Sequence, residues 1–512
     1  MRPRWVFTLA FAAFFLISAA WALALPVNGT YDEKHHIVRA YAVAAGHWLP
    51  DGPASDGTTF GSEGFDVPAS LLPGNVDCAV GAKRRGPASC QTPVAGGQLV
   101  RTPSAAARYS PVYYLPVGLP LLAMPDGTGI LIARLVSALM SALLLAAAAT
   151  TAVRLGNRVL VAAVALVATP MAMNLGGSVN PNGLEISAGV LLFVALSALL
   201  NGPVTRRLLV LAGVAAAILL TVRQLGPVLL AVDVAACAVV AGRARLTALA
   251  RSRSARSILG GCTALGVVLA GAWLAVSGGA DAAFVPQRVV HGDLAPHIVT
   301  DRVPFYVRQV VGQFGYGETT LSPYAICLWY LLCLAVVVPA LVRGGRRLRL
   351  TIAGLGVFCL AMLVALDWHF APLSGWFSHG RYAMPTGVGI VLLAALARPV
   401  RRPHWLPAAL VVATLPVHLY ALARVMTRFS SGMDASLNPF AGGWHPAGGA
   451  VTPLLVAVLG FVALAAVGWI TQRSAYASPG TVLGEPDNGC VTPIGQSASR
   501  DTKASTTDAA SL

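Results

Sequence analysis

Charge is scarce in this chain. Asp, Glu, Lys and Arg make up 11% of its 512 residues, 56% are hydrophobic, and mean hydropathy is +0.70. A water-soluble fold must cover its core with polar side chains, and so few charges cannot do that around the long apolar runs present here. A soluble enzyme is therefore excluded and an integral membrane protein is expected. Acids are scarcer than bases, 20 against 36, giving a net charge of +16 and a pI near 10.0. The basic residues form no stripe but short clusters between apolar segments, as topology signals do, which argues against a nucleic-acid partner. Cysteine is also sparse. Cys237, Cys262, Cys327, Cys333 and Cys359 lie inside apolar runs, and no spacing resembles a zinc site. Cys78 and Cys90 share a polar segment, where a disulfide is expected to add roughly 3 kcal/mol by loop entropy.

What is present is apolar length. A bilayer core of about 30 Å needs roughly 20 apolar residues per helix. Such windows fall near residues 5–25, 129–152, 159–175, 184–200, 208–222, 227–241, 258–277, 323–342, 350–366, 384–398, 404–422 and 451–470. The expected fold is thus all-α and polytopic, with about twelve spans. The stretch Val112 to Met124 reads as a re-entrant or interfacial helix. The organisation expected is a first span at 1–25, a large external loop at 26–111, a multi-span domain at 112–470 and a disordered tail at 471–512. The run after Arg2 and Arg4 also mimics a secretory signal ending at Ala22-Leu23-Ala24, but it is longer than the usual 7–15-residue core, so a retained span is expected.

Alternate connections carry Arg2 and Arg4; Arg154 and Arg158; Arg206 and Arg207; Arg243 to Arg256; Arg343 to Arg349; and Arg398, Arg401 and Arg402, with no acid among them. By the positive-inside rule those connections and both termini are cytoplasmic, and a cell-membrane location follows. The opposite face collects residues that no span requires. Asp32 and Glu33 follow the first span, with His36 and Arg39 at helical spacing; the plain reading is a helix N-terminus with acids in its first turn. Asn180, Asn182 and Glu185 open the fourth span, Arg223 ends the fifth, and Asp367, His379, Arg381 and Tyr382 precede the tenth. Charges at membrane depth are paired or functional. A structural account would pair Arg381 or Arg223 with Glu185 or Asp367. Tyr109, Tyr113 and Tyr114 read as an interfacial aromatic belt or as contacts to a lipid or sugar.

Five stretches carry a resemblance: Asp32-Glu33 with His36, YSPVYYLP (Tyr109 to Pro116), NPNGLEI (Asn180 to Ile186), GQFGYGETTLSP (Gly312 to Pro323) and SHGRYAMP (Ser378 to Pro385). In this order they resemble the predicted membrane protein family DUF2142, over residues 1 to about 470. That family in turn resembles the GT-C glycosyltransferases, polytopic enzymes that use polyprenyl-phosphate sugars outside the membrane. The resemblance implies that Asp32 is the catalytic base, with Glu33 beside it. His36, Arg39, Asn180, Asn182, Glu185, Arg223, His379, Arg381 and Tyr382 are expected to bind substrate, Arg381 as the phosphate clamp. The chain departs from the family pattern at Glu318, where an acid is usual one position later, and at Asn182, where Asp is common. No cofactor is required by this chemistry. Asp32, His36, His379 and Asp367 could converge on a divalent cation. The competing reading is a secondary transporter or flippase, motivated by the lone intramembrane acid Asp233.

Overall fold

The computed structural model describes residues 3–55, 63–81, 83–278, 290, 292–397 and 403–474. Arg398, Arg401, Arg402 and most of the tail expected at 471–512 lie outside these residues. The chain opens with α1 (Pro3–Ala24) and α2 (Glu33–Ala44), then β1 (Gly52–Pro53), β2 (Glu63–Pro68), β3 (Leu99–Pro103) and α3 (Pro111–Ala123). The helices α4 (Gly127–Arg154), α5 (Arg158–Val167), α6 (Pro170–Gly176), α7 (Pro181–Asn201), α8 (Arg206–Val222), α9 (Gly226–Ala241), α10 (Arg243–Arg251) and α11 (Arg253–Ser277) follow. After α12 (Leu294–His297) and α13 (Val303–Gly312) comes the short hairpin β4 (Gln313–Phe314) and β5 (Thr319–Thr320). Helices α14 (Pro323–Arg343), α15 (Arg346–Ser374), α16 (Gly380–Leu396), α17 (Leu406–Ser431) and α18 (Val451–Ser474) complete the described chain.

Among the described residues, eight helices are long and apolar enough to cross a membrane: α1, α4, α7, α11, α14, α15, α17 and α18. Two bent pairs raise the number to ten if each is one span. The expectation of about twelve is not reached by these helices alone. Windows 208–222 and 384–398 fall on α8 and α16, each 17 residues, or about 25 Å at 1.5 Å per residue. The bends have local causes. Thr169 precedes Pro170, which disfavours helical backbone, and its hydroxyl caps α6 at Ala172 N, so α5 and α6 meet at 67°. Gly242, at φ 82°, turns α9 into α10 by 113°.

Helix α7 is apolar on every side and buried from Pro181 to Leu200, the pattern of a central helix. Helices α4, α8, α9 and α16 pack around it, and α1 lies between α4 and α18. Gly189 lets α16 approach: a Cβ there would lie 2.2 Å from the Pro385 carbonyl oxygen. In contrast, α11 leaves Leu265, Val267, Val268 and Leu274 exposed, a face suited to lipid.

Residues 26–111 are not simply a loop. The strands β1-β2-β3 form an antiparallel sheet with Phe65 opposite Thr102. Helix α3 packs on α2 through Tyr113, Tyr114, Val117 and Leu121. Tyr113 and Tyr114 are 1% and 0% exposed, so the aromatic belt expected there is corrected: these rings are core. Cys78 and Cys90 are disulfide-bonded with Cα atoms 6.1 Å apart. Arg428 of α17 clasps that disulfide loop by donating to the carbonyls of Ala79, Arg84 and Gly86.

Candidate functional site

Asp32 stands at the entry to α2 but does not cap it. Its backbone is left-handed, φ 60° and ψ 11°, an uncommon state for a non-glycine residue that costs about 1–3 kcal/mol. The Asp32 carbonyl accepts from His35 N and His36 N, while its side chain makes no cap hydrogen bond. Asn28 performs that task, accepting from Lys34 N and from the Tyr316 hydroxyl. The Asp32 carboxylate is thereby free to leave the helix, and Oδ2 accepts from Arg381 Nη2 at 2.7 Å.

Arg381 enters from the first turn of α16. It is 1% exposed, lies 4.3 Å from the Tyr31 ring centre and 5.3 Å from that of Tyr382, and its backbone N–H donates to Gln309. Its Nε and Nη1 have no hydrogen-bond partner among the described residues. A buried guanidinium with two unspent donors is an anion-seeking group.

Between these elements lies a small cavity of about 40 Å³, partly open to solvent. Asp32, His36, Asn182, Arg223, Arg381, Tyr109 and Tyr382 are among the residues that line it. Asn182 is placed by the N-terminus of α7, where the Asn180 side chain caps Asn182 N and donates to the Tyr31 carbonyl at 2.9 Å. Arg223, just past α8, donates to Asn182 Oδ1, sits 3.8 Å from Glu185 and lies over the Tyr382 ring at 4.5 Å. His379 meets Tyr31 and Tyr382 edge-on and hydrogen-bonds Gln309 through Nδ1.

Burial, reinforced by His35 and by Arg223 and Arg381, holds the His36 imidazole well below its ordinary range. Burial does the same to His379, again with Arg381, Arg302 and Arg223 nearby. Both rings are neutral at neutral pH. Burial pushes the Glu318 carboxyl upward, with Tyr316 N–H donating back to it.

Three expectations are corrected. Glu33 is not beside Asp32 in the cavity: it is 0% exposed and held by Arg134 of α4, Nη2 at 2.6 Å and Nε at 2.7 Å, with Asn28 N and Val179 N also donating. The left-handed backbone of Asp32 sends its carboxylate toward Arg381, while Glu33, the first residue of α2, turns inward to Arg134. Arg39 is likewise spent inside the protein, donating to the carbonyls of Trp48 and Tyr109 and lying 5.4 Å from the Phe65 and Trp273 rings. Asp367 does not pair with Arg381, whose partner is Asp32. It accepts from Arg302 Nε at 2.7 Å and from the Phe377 and Ser378 backbone. Among the described residues no group of three or more His, Cys, Asp or Glu is placed to hold a metal ion.

Arg134 was overlooked by sequence reasoning, although a lone charge inside the 129–152 apolar window is itself a signal. Arg302 gave no comparable sign.

The family model described as "Predicted membrane protein (DUF2142)" matches residues 15–390. No curated protein matches the chain. Among solved structures, ArnT from Cupriavidus metallidurans bound to undecaprenyl phosphate is 14% identical, covering 93% of this chain and 79% of that one at a TM-score of 0.38. The arabinofuranosyltransferase AftD from Mycobacteria is 13% identical, covering 84% of this chain and 27% of that one at a TM-score of 0.40. Similarity at this level does not define a shared activity.

Proposed function

The chain belongs to the DUF2142 family of predicted membrane proteins, and from that premise we propose that it is a membrane glycosyltransferase. It takes a sugar from a polyprenyl-phosphate donor and passes it, on the external face of the cell membrane, to an envelope glycan, lipid or protein. The observation that carries this reading is the Asp32–Arg381 pair at the wall of a cavity that also holds Arg223.

The chemistry follows from those groups. An acceptor hydroxyl attacks the anomeric carbon, the carbon–oxygen bond to phosphate breaks, and the phosphate departs with the bonding pair. Asp32 receives the acceptor's proton. Lipid phosphate needs its charge held more than it needs protonation, which suits Arg381 and Arg223. A single displacement inverts the anomeric centre. A positioned general base is worth roughly 10²- to 10⁴-fold.

Facing supports the same reading. The site gathers the start of α2, the start of α7, the end of α8 and the start of α16. The Arg-rich ends Arg154, Arg206 and Arg207 belong to the opposite ends of α4 and α8. By the positive-inside rule the site then faces outward, with both termini cytoplasmic.

The test is transfer by the purified full chain in liposomes. Given a panel of radiolabelled polyprenyl-phosphate sugars and a membrane extract as acceptor, label should move to a new product with inverted configuration. A folded protein that moves no label from any such donor contradicts the proposal.

A further inference from the structure

The Tyr114 hydroxyl is fully buried, and its one hydrogen bond among the described residues is to His36 Nδ1 at 2.8 Å. A buried phenol must keep its proton, and that proton needs an acceptor. Burial pushes Tyr114 well above its ordinary range, so it stays a phenol. Among the described residues Nδ1 is the one acceptor within hydrogen-bond reach, so Nδ1 carries no hydrogen. In a neutral imidazole the proton then resides on Nε2.

His36 lines the cavity, and among the described residues Nδ1 is its one hydrogen-bonded ring nitrogen. Nε2–H is therefore the group His36 offers to a ligand. It is offered beside two guanidiniums, Arg223 and Arg381, whose charges reach the imidazole. An oxygen drawn there by positive charge is an anionic one. We propose that Tyr114 is a positioning residue that fixes His36 as a neutral Nε2–H donor to a phosphoryl oxygen of the bound donor.

This inference rests on the lipid-phosphate reading of the site but has its own readouts. The arrangement gives the site a donor that adds no positive charge and that Tyr114 withholds from acting as a base. His36 takes no proton in the reaction; that role stays with Asp32.

The experiment uses the full chain in detergent with ¹⁵N-labelled histidine, the His36 signals being identified as those lost in His36→Gln. The wild-type ring should be neutral with its proton on Nε2, and Tyr114→Phe should yield a tautomer mixture. Binding of inorganic phosphate should weaken about tenfold in His36→Phe and less in His36→Gln, whose amide still donates. Tyr114→Phe should weaken phosphate binding in the wild-type background but not in His36→Gln, a coupling that general loosening of the fold would not produce. A free monosaccharide should show none of these dependences.

A wild-type His36 protonated on Nδ1, or charged, overturns the assignment. Phosphate binding that is equal in wild type and His36→Phe overturns it as well. If wild type binds phosphate with these dependences yet transfers no sugar, the proposed function fails and this assignment stands.

Discussion

Asp32 and Arg381 are 349 residues apart in sequence and 2.7 Å apart in space. The pair joins the residue after the first hydrophobic stretch to the first turn of α16, and it does so because Asp32 adopts a left-handed backbone that leaves its carboxylate outside α2.

Arg381→Ala should lower kcat/KM for transfer by about a hundredfold, roughly 2.7 kcal/mol of transition-state stabilisation. Arg381→Lys should recover part of it, since charge returns without the planar fork. Steady-state kinetics on labelled donor measures both, and a wild-type rate in Arg381→Ala would remove this arginine from the reaction.

Glu33 serves stability through Arg134. Removing one partner of a buried pair strands the other charge, so Arg134→Ala should destabilise by about 3–5 kcal/mol. Thermal unfolding in detergent would read this as a large fall in Tm. Glu33→Gln/Arg134→Gln together should lose less than Arg134→Ala alone.

The Cys78–Cys90 disulfide closes the short loop that Arg428 clasps, and Asp77, just before it, accepts from Lys34 at 2.6 Å. Replacing both cysteines by serine should cost about 3 kcal/mol by loop entropy. Denaturation with and without reductant should give the same shift in wild type, and none in the double variant.

Burial holds His379 well below its ordinary pKa. As pH falls below about 6.5, the unfolded chain takes up a proton that the folded chain refuses, so stability drops with acidification, by about 1.4 kcal/mol per pH unit for this group. His379→Gln should therefore flatten the Tm against pH between 6.5 and 5.5. A curve parallel to wild type would show that His379 does not titrate this way.

Asp233 is fully buried in α9 beside Thr386 of α16 and does not line the Asp32 cavity. Asp233→Asn should leave sugar transfer within about threefold of wild type. Substrate uptake into proteoliposomes that needs Asp233 and survives loss of Asp32 would favour the transporter reading instead.

Much of the bundle was legible because apolar length is a strong signal: α1, α4, α7, α11, α14, α15, α17 and α18 each coincide with an expected window. The windows at 208–222 and 384–398 fall on α8 and α16, each only 17 residues, and hydropathy has no information on where a helix stops. Gly380 and Arg381 begin α16 only because Gln309 and the Asp367-bound turn fix that entry. Within the site, the polar residues that sequence gathered at one face were real neighbours: Asp32, His36, Asn182, Arg223, Arg381 and Tyr382 line one cavity. Glu33 and Arg39 were misread because spacing along α2 says which residues share a face, and nothing about which face meets the cavity. Their partners Arg134 and Trp273 lie more than ninety residues away. Tyr114 looked like part of an interfacial belt for the same reason: its burial depends on α3 packing against α2, where Gly118 admits the Ala40 carbonyl.

The most direct measurement is the transfer rate of Asp32→Asn beside its affinity for undecaprenyl phosphate. The account predicts a kcat reduced by roughly 10²- to 10⁴-fold, with phosphate affinity kept or increased because Arg381 has lost its carboxylate partner. An unchanged kcat in the folded variant would contradict it.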